Sequence, residues 1–304
     1  MRDLWRWTRD PLGLLEQGAS TGPVFKLRLW RTIDIGYHPA WNKAVLTDLD
    51  TFRSAGSLSG LTPYLDGGVV QLDSPEHDPR RRELNPSFHD RALHELGQPM
   101  AAALAETLPR HDFDALRWSG TAVRAMLNAA FFGGAMPTRL LEAFLHPLER
   151  PLPHPLARRP LLFHRIDRII KSIVDSAPGG TLAGAIAGLP GAAEELRVAL
   201  AAGYDTTAHT LAWAIWLLAE HPRWQDPGAL PRVIDEVLRL YPSGWLGSRV
   251  VSRDVELEGV PLKKGTLVGY SPYLTHRDPA LWDAAAEFRP DRFDKRPEPW
   301  SYLP

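Results

Sequence analysis

The sequence predicts a mainly α-helical protein with a small β region. Isoleucine and valine recur at helical spacing between residues 166 and 174, and the stretch after Gly191 meets no proline before Pro222. Strand-like alternation is confined to residues 24–36 and 250–268. A chain of 304 residues with 44% hydrophobic content can form one large domain or two small ones. Because the proline-rich segment before residue 160 is interpreted as a loop between helices, we predict a single domain over residues 1–304.

The first third of the chain combines helical, hairpin and loop signals. Apolar spacing and turn residues predict, in order, a helix over 4–19, hairpin strands over 24–30 and 32–36, and a helix over 38–47. Residues 54–68 are rich in Ser and Gly and predict a flexible loop. Its Tyr64 and Leu65 are candidates for the wall of a pocket.

The rest of the chain is mostly helical before its final strands. Two helices are predicted within residues 91–132 and one over 137–148, and a proline-rich connection follows to residue 160. The amphipathic helix around Ile166 leads through the loose segment 179–191 to the long central helix. After that helix, the pattern predicts a helix over 231–241 and short strands over 250–268.

Composition excludes several classes of protein. The formal net charge of -1 gives no field that would attract nucleic acid or an acidic membrane. No apolar run approaches the ~18–20 residues of a membrane span, and the N-terminus lacks the apolar core of a secretory signal, so we expect a soluble, cytoplasmic protein. The chain contains no cysteine, which excludes disulfides and cysteine metal ligands from these residues.

Polar residues interrupt the central helix at residues 202–207, which read Ala-Gly-Tyr-Asp-Thr-Thr. One interpretation is a small-residue packing notch with an Asp-Thr turn. The other is a helix opened where a flat ligand lies against it, with Asp205 and Thr206 as a proton-handling pair. The following segment, 211–218, is apolar nearly all round, which predicts that this half of the helix is buried.

Two further groups of charges have helical spacing. His77 and Arg81 are four residues apart, so they lie on one face. They either clamp an anionic ligand, which leaves Arg80 or Arg82 free for an acidic partner, or belong to a solvated helix face. Glu236 and Arg239 lie in a segment whose apolar flanks predict burial, and a buried pair needs further partners.

Taken in order, these motifs resemble the cytochrome P450 family. The resemblance rests on residues 72–77 (Leu-Asp-Ser-Pro-Glu-His), 202–207, 236–239 (Glu-x-x-Arg) and 288–293 (Phe-Arg-Pro-Asp-Arg-Phe), and covers residues 24–304. It implies the helical fold of that family and haem b as the cofactor. It also implies hydroxylation of an apolar substrate with O2 and two electrons, which would come from a ferredoxin or flavodoxin and its reductase.

The resemblance also implies roles for individual residues. The residues that match the partners of the haem propionates are His77, Arg81 and Arg249. Ala202 and Gly203 match the small residues against which the macrocycle lies, Thr206 matches the threonine that hydrogen-bonds the bound dioxygen, and Asp205 matches the acid that relays protons. Arg292 would join the buried network of Glu236 and Arg239. The candidate substrate pocket comprises Tyr64, Leu65, Trp245, Leu246 and Gly247.

The sequence departs from the family pattern at its end. In the family, the segment that matches Tyr302–Pro304 leads into a cysteine loop and a last helix. The axial cysteine is therefore expected just after Pro304, no metal ligand is assigned within this chain, and we predict a truncated family member. The alternative is a non-catalytic remnant or a haem-free protein that binds a hydrophobic ligand.

Overall fold

A computed structural model describes residues 2–58, 62–149 and 159–304, and its mainly helical fold confirms the predicted class. The helices are α1 (Arg2–Trp7), α2 (Pro11–Ala19), α3 (Pro39–Thr47), α4 (His77–Leu84), α5 (Asp90–Thr107), α6 (Ala115–Phe132), α7 (Thr138–Leu145), α8 (Pro160–Ser176), α9 (Leu182–Ile186), α10 (Ala192–Glu220), α11 (Leu230–Leu240) and α12 (Pro272–Thr275). The strands are β1 (Val24–Arg28), β2 (Thr32–Gly36), β3 (Phe52–Arg53), β4 (Gly247–Val251), β5 (Val255–Leu257), β6 (Val260–Leu262) and β7 (Leu267–Tyr270).

The described residues form two compact units. Residues 2–58 and 213–304 make up the first unit, and residues 62–149 and 159–212 make up the second. The prediction of one domain over residues 1–304 stays a prediction. The middle of the predicted proline-rich connection, residues 150–158, lies outside the described residues. No helix within the described ranges is both long and apolar enough to span a bilayer.

The first unit is built on a five-stranded sheet in the order β1-β2-β7-β4-β3. The predicted hairpin is confirmed, since β1 and β2 pair antiparallel with Phe25 opposite Ile35. β7 then pairs parallel to β2 and antiparallel to β4. Leu27, Ile33 and Leu267 are buried on this sheet. β5 and β6 form a separate two-stranded sheet.

The prediction of one helix over residues 4–19 is wrong, because the chain breaks between α1 and α2. Pro11 begins the second helix, where its missing N–H costs no hydrogen bond. The Asp10 carboxylate accepts a hydrogen bond from the Gly13 N–H at 2.9 Å and caps the new helix. A proline and a capping aspartate therefore override the continuous apolar spacing.

The second unit packs α6 to α9 around the first half of α10. The predicted stripe on α8 is confirmed, with Ile166 and Ile170 fully buried. They share one core with Leu196 and Tyr204 of α10. This core therefore holds one face of the half of α10 that carries residues 202–207.

The second half of α10 is not buried as predicted. In segment 211–218 only Leu217 is buried, and it packs with Val233 and Val237 of α11. Trp216 is 47% exposed. Composition alone indicated burial, but packing covers one face of this half and leaves the opposite face open among the described residues.

Candidate functional site

Residues 202–207 lie within an unbroken helix. α10 runs from Ala192 to Glu220, and the Thr206 hydroxyl donates to the Ala202 carbonyl at 2.8 Å. The Thr210 hydroxyl repeats this bond to the Thr206 carbonyl at 2.8 Å. Hydroxyls that bond back by one turn can bend a helix, but α10 stays continuous through this segment. The interpretation in which the helix is opened at this point is therefore wrong.

The same segment presents an exposed strip of small residues. Ala202 and Thr206 are exposed and Gly203 is half-buried. A Cβ added at Gly203 would meet only Leu127, at an ordinary distance of 3.7 Å. The helix thus offers a narrow surface along which a flat group can lie close to the backbone.

Asp205 lies beside this strip, next to His209. The His209 Nδ1 is 2.9 Å from the Asp205 backbone oxygen and 3.2 Å from its Oδ1. Oδ1 is buried and accepts no well-oriented hydrogen bond from the described residues. The Asp205 carboxylate raises the pKa of His209 against the opposing effect of burial. The two groups form a half-buried pair that binds a proton more readily than an isolated histidine.

A polar cavity of about 520 Å³ opens beside this pair. Helices α6 and α7, the turn His146–Glu149 and α10 line it. The Glu149 carboxylate contacts three polar side chains of this cavity. Arg124 Nη1 donates to its Oε1 at 2.9 Å, and the Tyr204 hydroxyl donates to the same oxygen. His146 Nδ1 is 3.1 Å from its Oε2. Burial acts to raise the pKa of Glu149, but these three partners outweigh it and lower that pKa.

A buried ion-pair network lies in the first unit. Arg239 donates from Nε and Nη2 to Glu236 at 2.7 and 2.8 Å, and both side chains are fully buried. Arg292 Nε donates to Glu236 at 3.2 Å, so the structure brings together the three residues that the sequence had grouped. The backbone oxygens of His276 and Ala285 accept the remaining Arg239 Nη1 donor at 2.7 and 2.8 Å. Every charge in this network therefore has hydrogen-bonding partners.

Arg249 differs from Arg239 in this respect. It lies on β4, is half-buried, and its buried Nε has no hydrogen-bond partner among the described residues. Its Nη1 donates to the Ser248 carbonyl at a long 3.4 Å. The Arg249 guanidinium therefore has N–H groups that can donate hydrogen bonds to an anionic ligand.

His77 and Arg81 lie one turn apart on α4, as predicted from their spacing. The His77 Nδ1 is 2.8 Å from the Asp78 carboxylate, and Arg81 is exposed. Arg80, by contrast, donates to Glu195 at 2.9 Å and to the Pro190 carbonyl. Arg80 is therefore tied to the start of α10 and is not free for an acidic partner.

The predicted pocket residues have mainly packing contacts. Tyr64 is buried between Phe144 and Phe163, and its hydroxyl donates to the Phe144 carbonyl at 3.0 Å. This is a position in the core of the second unit rather than on an open wall, and Leu65 beside it is half-buried. A pocket role for Tyr64 and Leu65 stays a prediction that these contacts do not favour.

The other three predicted pocket residues lie in the first unit. Trp245 and Leu246 are half-buried and pack on the sheet core, where the Trp245 ring is 5.4 Å from that of Trp7. A Cβ at Gly247 would overlap the Tyr270 ring. Close packing between β4 and β7 thus explains the glycine at this position, and a pocket role is not needed to explain it.

Sequence reasoning missed three polar residues of the cavity. His209 follows Asp205 by four residues, so the helical i,i+4 rule was a sufficient signal. Arg124 and Glu149 meet Tyr204 from distant parts of the chain. No short-range pattern connects them.

Comparison with known proteins supports one family. The family model described as Cytochrome P450 matches residues 229–304. Pentalenene oxygenase of Streptomyces avermitilis is 28% identical over 95% of this chain and 78% of its own length. Cyclooctatin synthase of Streptomyces melanosporofaciens is 27% identical over 97% of this chain and 79% of its own. The structure of retinoic acid-bound cyanobacterial CYP120A1 has a similar fold, with a TM-score of 0.83 at 20% identity over 96% of this chain and 79% of its own.

Proposed function

We propose that this chain, a member of the cytochrome P450 family, acts as a haem-dependent monooxygenase that hydroxylates an apolar organic substrate. In this reaction one atom of O2 enters a C–H bond as hydroxyl and the other leaves as water, with two electrons and two protons supplied from outside. The relative named Pentalenene oxygenase supports an oxygenase reaction. The observation that carries the proposal is the exposed strip of Ala202, Gly203 and Thr206 beside the half-buried Asp205.

Some residues of the chain are suited to contact a haem group. Small side chains on α10 suit the flat face of a porphyrin. Considered separately, the donors of Arg249 without a described partner suit a carboxylate such as a propionate. The 304 residues hold no cysteine, so they supply no thiolate for the iron. No group of three or more metal-binding side chains is found in the described ranges either.

Each of these residues has a defined task in the proposed reaction. When bound, haem supplies the activation of O2 that protein side chains cannot provide. Arg249, His77 and Arg81 would offset the two propionates. Thr206 would present its hydroxyl to the reacting face, while Asp205 would hold and pass the protons that the formation of water consumes.

The substrate and the electron donor are proposed on weaker support. We propose an apolar substrate, since Trp245 and Leu246 offer apolar surface near β4. A separate ferredoxin or flavodoxin with its reductase would supply the electrons. The exposed Arg82 is the remaining candidate for its docking, because Arg80 is engaged with Glu195 and Arg81 is assigned to the propionates. A cytoplasmic location stays a prediction.

The absence of cysteine from these residues favours a second candidate. A protein with this fold and no thiolate would bind a hydrophobic ligand without haem and without catalysis. Quenching of tryptophan fluorescence by an apolar ligand, measured with no haem present, tests this candidate. Saturable quenching that added haem does not compete away would support it over the monooxygenase.

Titration of the chain with haem tests the proposal. We expect saturable binding, and we expect Arg249→Gln to weaken it about tenfold, since a charge-assisted hydrogen bond contributes about 1.5–3 kcal/mol. Arg28→Gln is the matched control, because Arg28 is an exposed arginine on β1 of the same sheet. Absence of saturable binding would contradict the haem site. Equal weakening in both variants would remove Arg249 from it.

A further inference from the structure

The cavity beside α10 has no role in the function proposed so far. Its volume of about 520 Å³ is room for on the order of ten waters. It reaches Asp205 from the side of Tyr204 and His209, whereas Ala202 and Thr206 form the exposed strip of the helix. Asp205 therefore lines a polar cavity and is the neighbour in sequence of Thr206, which belongs to the exposed strip.

His209 lies beside Asp205 in the lining of this cavity. Its side chain is 35% exposed, and its Nδ1 is 3.2 Å from Asp205 Oδ1. Imidazole is the side chain whose unperturbed pKa lies nearest neutral pH, so it gains and loses a proton under ordinary conditions. We propose that His209 takes protons from water in the cavity and passes them to Asp205, an inference that rests on the proposed monooxygenase function.

The proton balance of this step is simple. Imidazolium at His209 gives the proton of Nδ1 to Asp205 Oδ1, which yields neutral imidazole and a carboxylic acid. A hydronium ion of the cavity water then returns a proton to Nδ1, which restores the imidazolium and leaves neutral water, since the ring is partly exposed. No electron moves, and His209 acts only through Asp205.

Among the charged groups around the cavity, Asp205 is the one that pairs directly with His209. The other titratable or charged groups that line the cavity are Asp114 at the start of α6, Arg117 and Arg124 on α6, Glu142 on α7, His146 and Glu149 on the adjoining turn, and Tyr204 on α10. Glu149 already accepts from Arg124 and Tyr204 and contacts His146, so these partners offset its charge. Asp114 caps α6 through the Arg117 N–H at 2.8 Å. Asp205 is thus the acid directly paired with His209, and it raises the pKa of that ring.

Titration of the histidine ring signals by NMR in the 304-residue chain tests the pairing without haem. His209→Gln identifies the signal, and we expect its pKa to lie above 6.5 and to fall in Asp205→Asn. Glu142→Gln is the control, because Glu142 lines the same cavity and should leave that pKa unchanged. An equal pKa in wild type and Asp205→Asn would overturn the inference.

The pH profile of the haem-loaded protein tests the transfer itself. We expect His209→Gln to lower product formed per electron consumed about 100-fold, the lower end of what a lost proton donor costs, and to remove the dependence on the His209 titration. Glu142→Gln should keep the wild-type profile. Turnover with an unchanged profile in His209→Gln would overturn this inference alone. Absence of turnover in the wild type would overturn the proposed function with it.

Discussion

Replacing Arg239 by alanine should be among the most destabilising single changes in the first unit. The substitution removes two hydrogen bonds to Glu236 and leaves that carboxylate fully buried with only Arg292 Nε at 3.2 Å and the Arg289 N–H at 2.8 Å. Breaking a buried pair from one side costs about 3–5 kcal/mol. The carbonyls of His276 and Ala285 lose their donor as well. We therefore expect a loss near the upper end of that range.

Arg232→Ala is the matched control on the same helix. Arg232 pairs with Asp294 near the surface, where its side chain is 34% and that of Asp294 58% exposed. Such a pair contributes about 0–1 kcal/mol. Urea unfolding followed by circular dichroism gives both free energies of unfolding, provided the slope with urea stays unchanged.

A double variant separates the network from simple loss of packing. In Arg239→Ala with Glu236→Ala, the buried carboxylate is gone, so part of the lost free energy should return. A single Arg239→Ala variant no less stable than Arg232→Ala would refute the reasoning. A double variant less stable than the sum of its single changes would do the same.

Three further outcomes follow from the structure. Burial lowers the pKa of His276 to about 3, so the stability that its neutral ring contributes is complete above pH 6.5 and is lost as the pH falls toward 3. The free energy of unfolding, measured with urea, should therefore fall between pH 6.5 and pH 5. This fall should be larger in wild type than in His276→Asn by on the order of 2 kcal/mol. Gly247→Ala should cost about 1–3 kcal/mol by overlap with Tyr270, whereas Gly244→Ala, with open space around it, serves as the control in thermal unfolding. Haem-loaded chain treated with carbon monoxide should lack the absorption band of a thiolate-ligated haem, because no cysteine is present, and a thiolate band would contradict this.

Elements set by local periodicity were predictable from the sequence. The apolar residues of α8 recur at helical spacing, and those of the β1–β2 hairpin alternate. Each pattern therefore indicates both the type of element and the face that is buried. The Glu236 network was predictable for a different reason. Charges between apolar residues on α11 imply burial, and burial implies further partners such as Arg292.

Contacts between distant segments were not predictable in this way. Arg80 and Arg81 are adjacent in sequence, yet only Arg80 meets Glu195, because the path of α4 past the start of α10 decides which arginine turns inward. Trp216 illustrates the same limit. Its apolar neighbours indicate a buried helix, but which faces of α10 are covered depends on how α11 packs. The Glu149 cluster likewise joins residues that no local pattern relates.

The contrast between Arg239 and Arg249 is the strongest argument that the two arginines have different tasks. Both belong to the first unit, and a buried donor without a partner costs about 1–3 kcal/mol. Arg239 avoids this cost, since its donors meet Glu236 and three backbone oxygens. Arg249 retains it at Nε. An anionic group that accepts from Nε would recover this free energy on binding, so substitution of Arg249 should weaken ligand binding more than it lowers stability, and substitution of Arg239 should do the reverse.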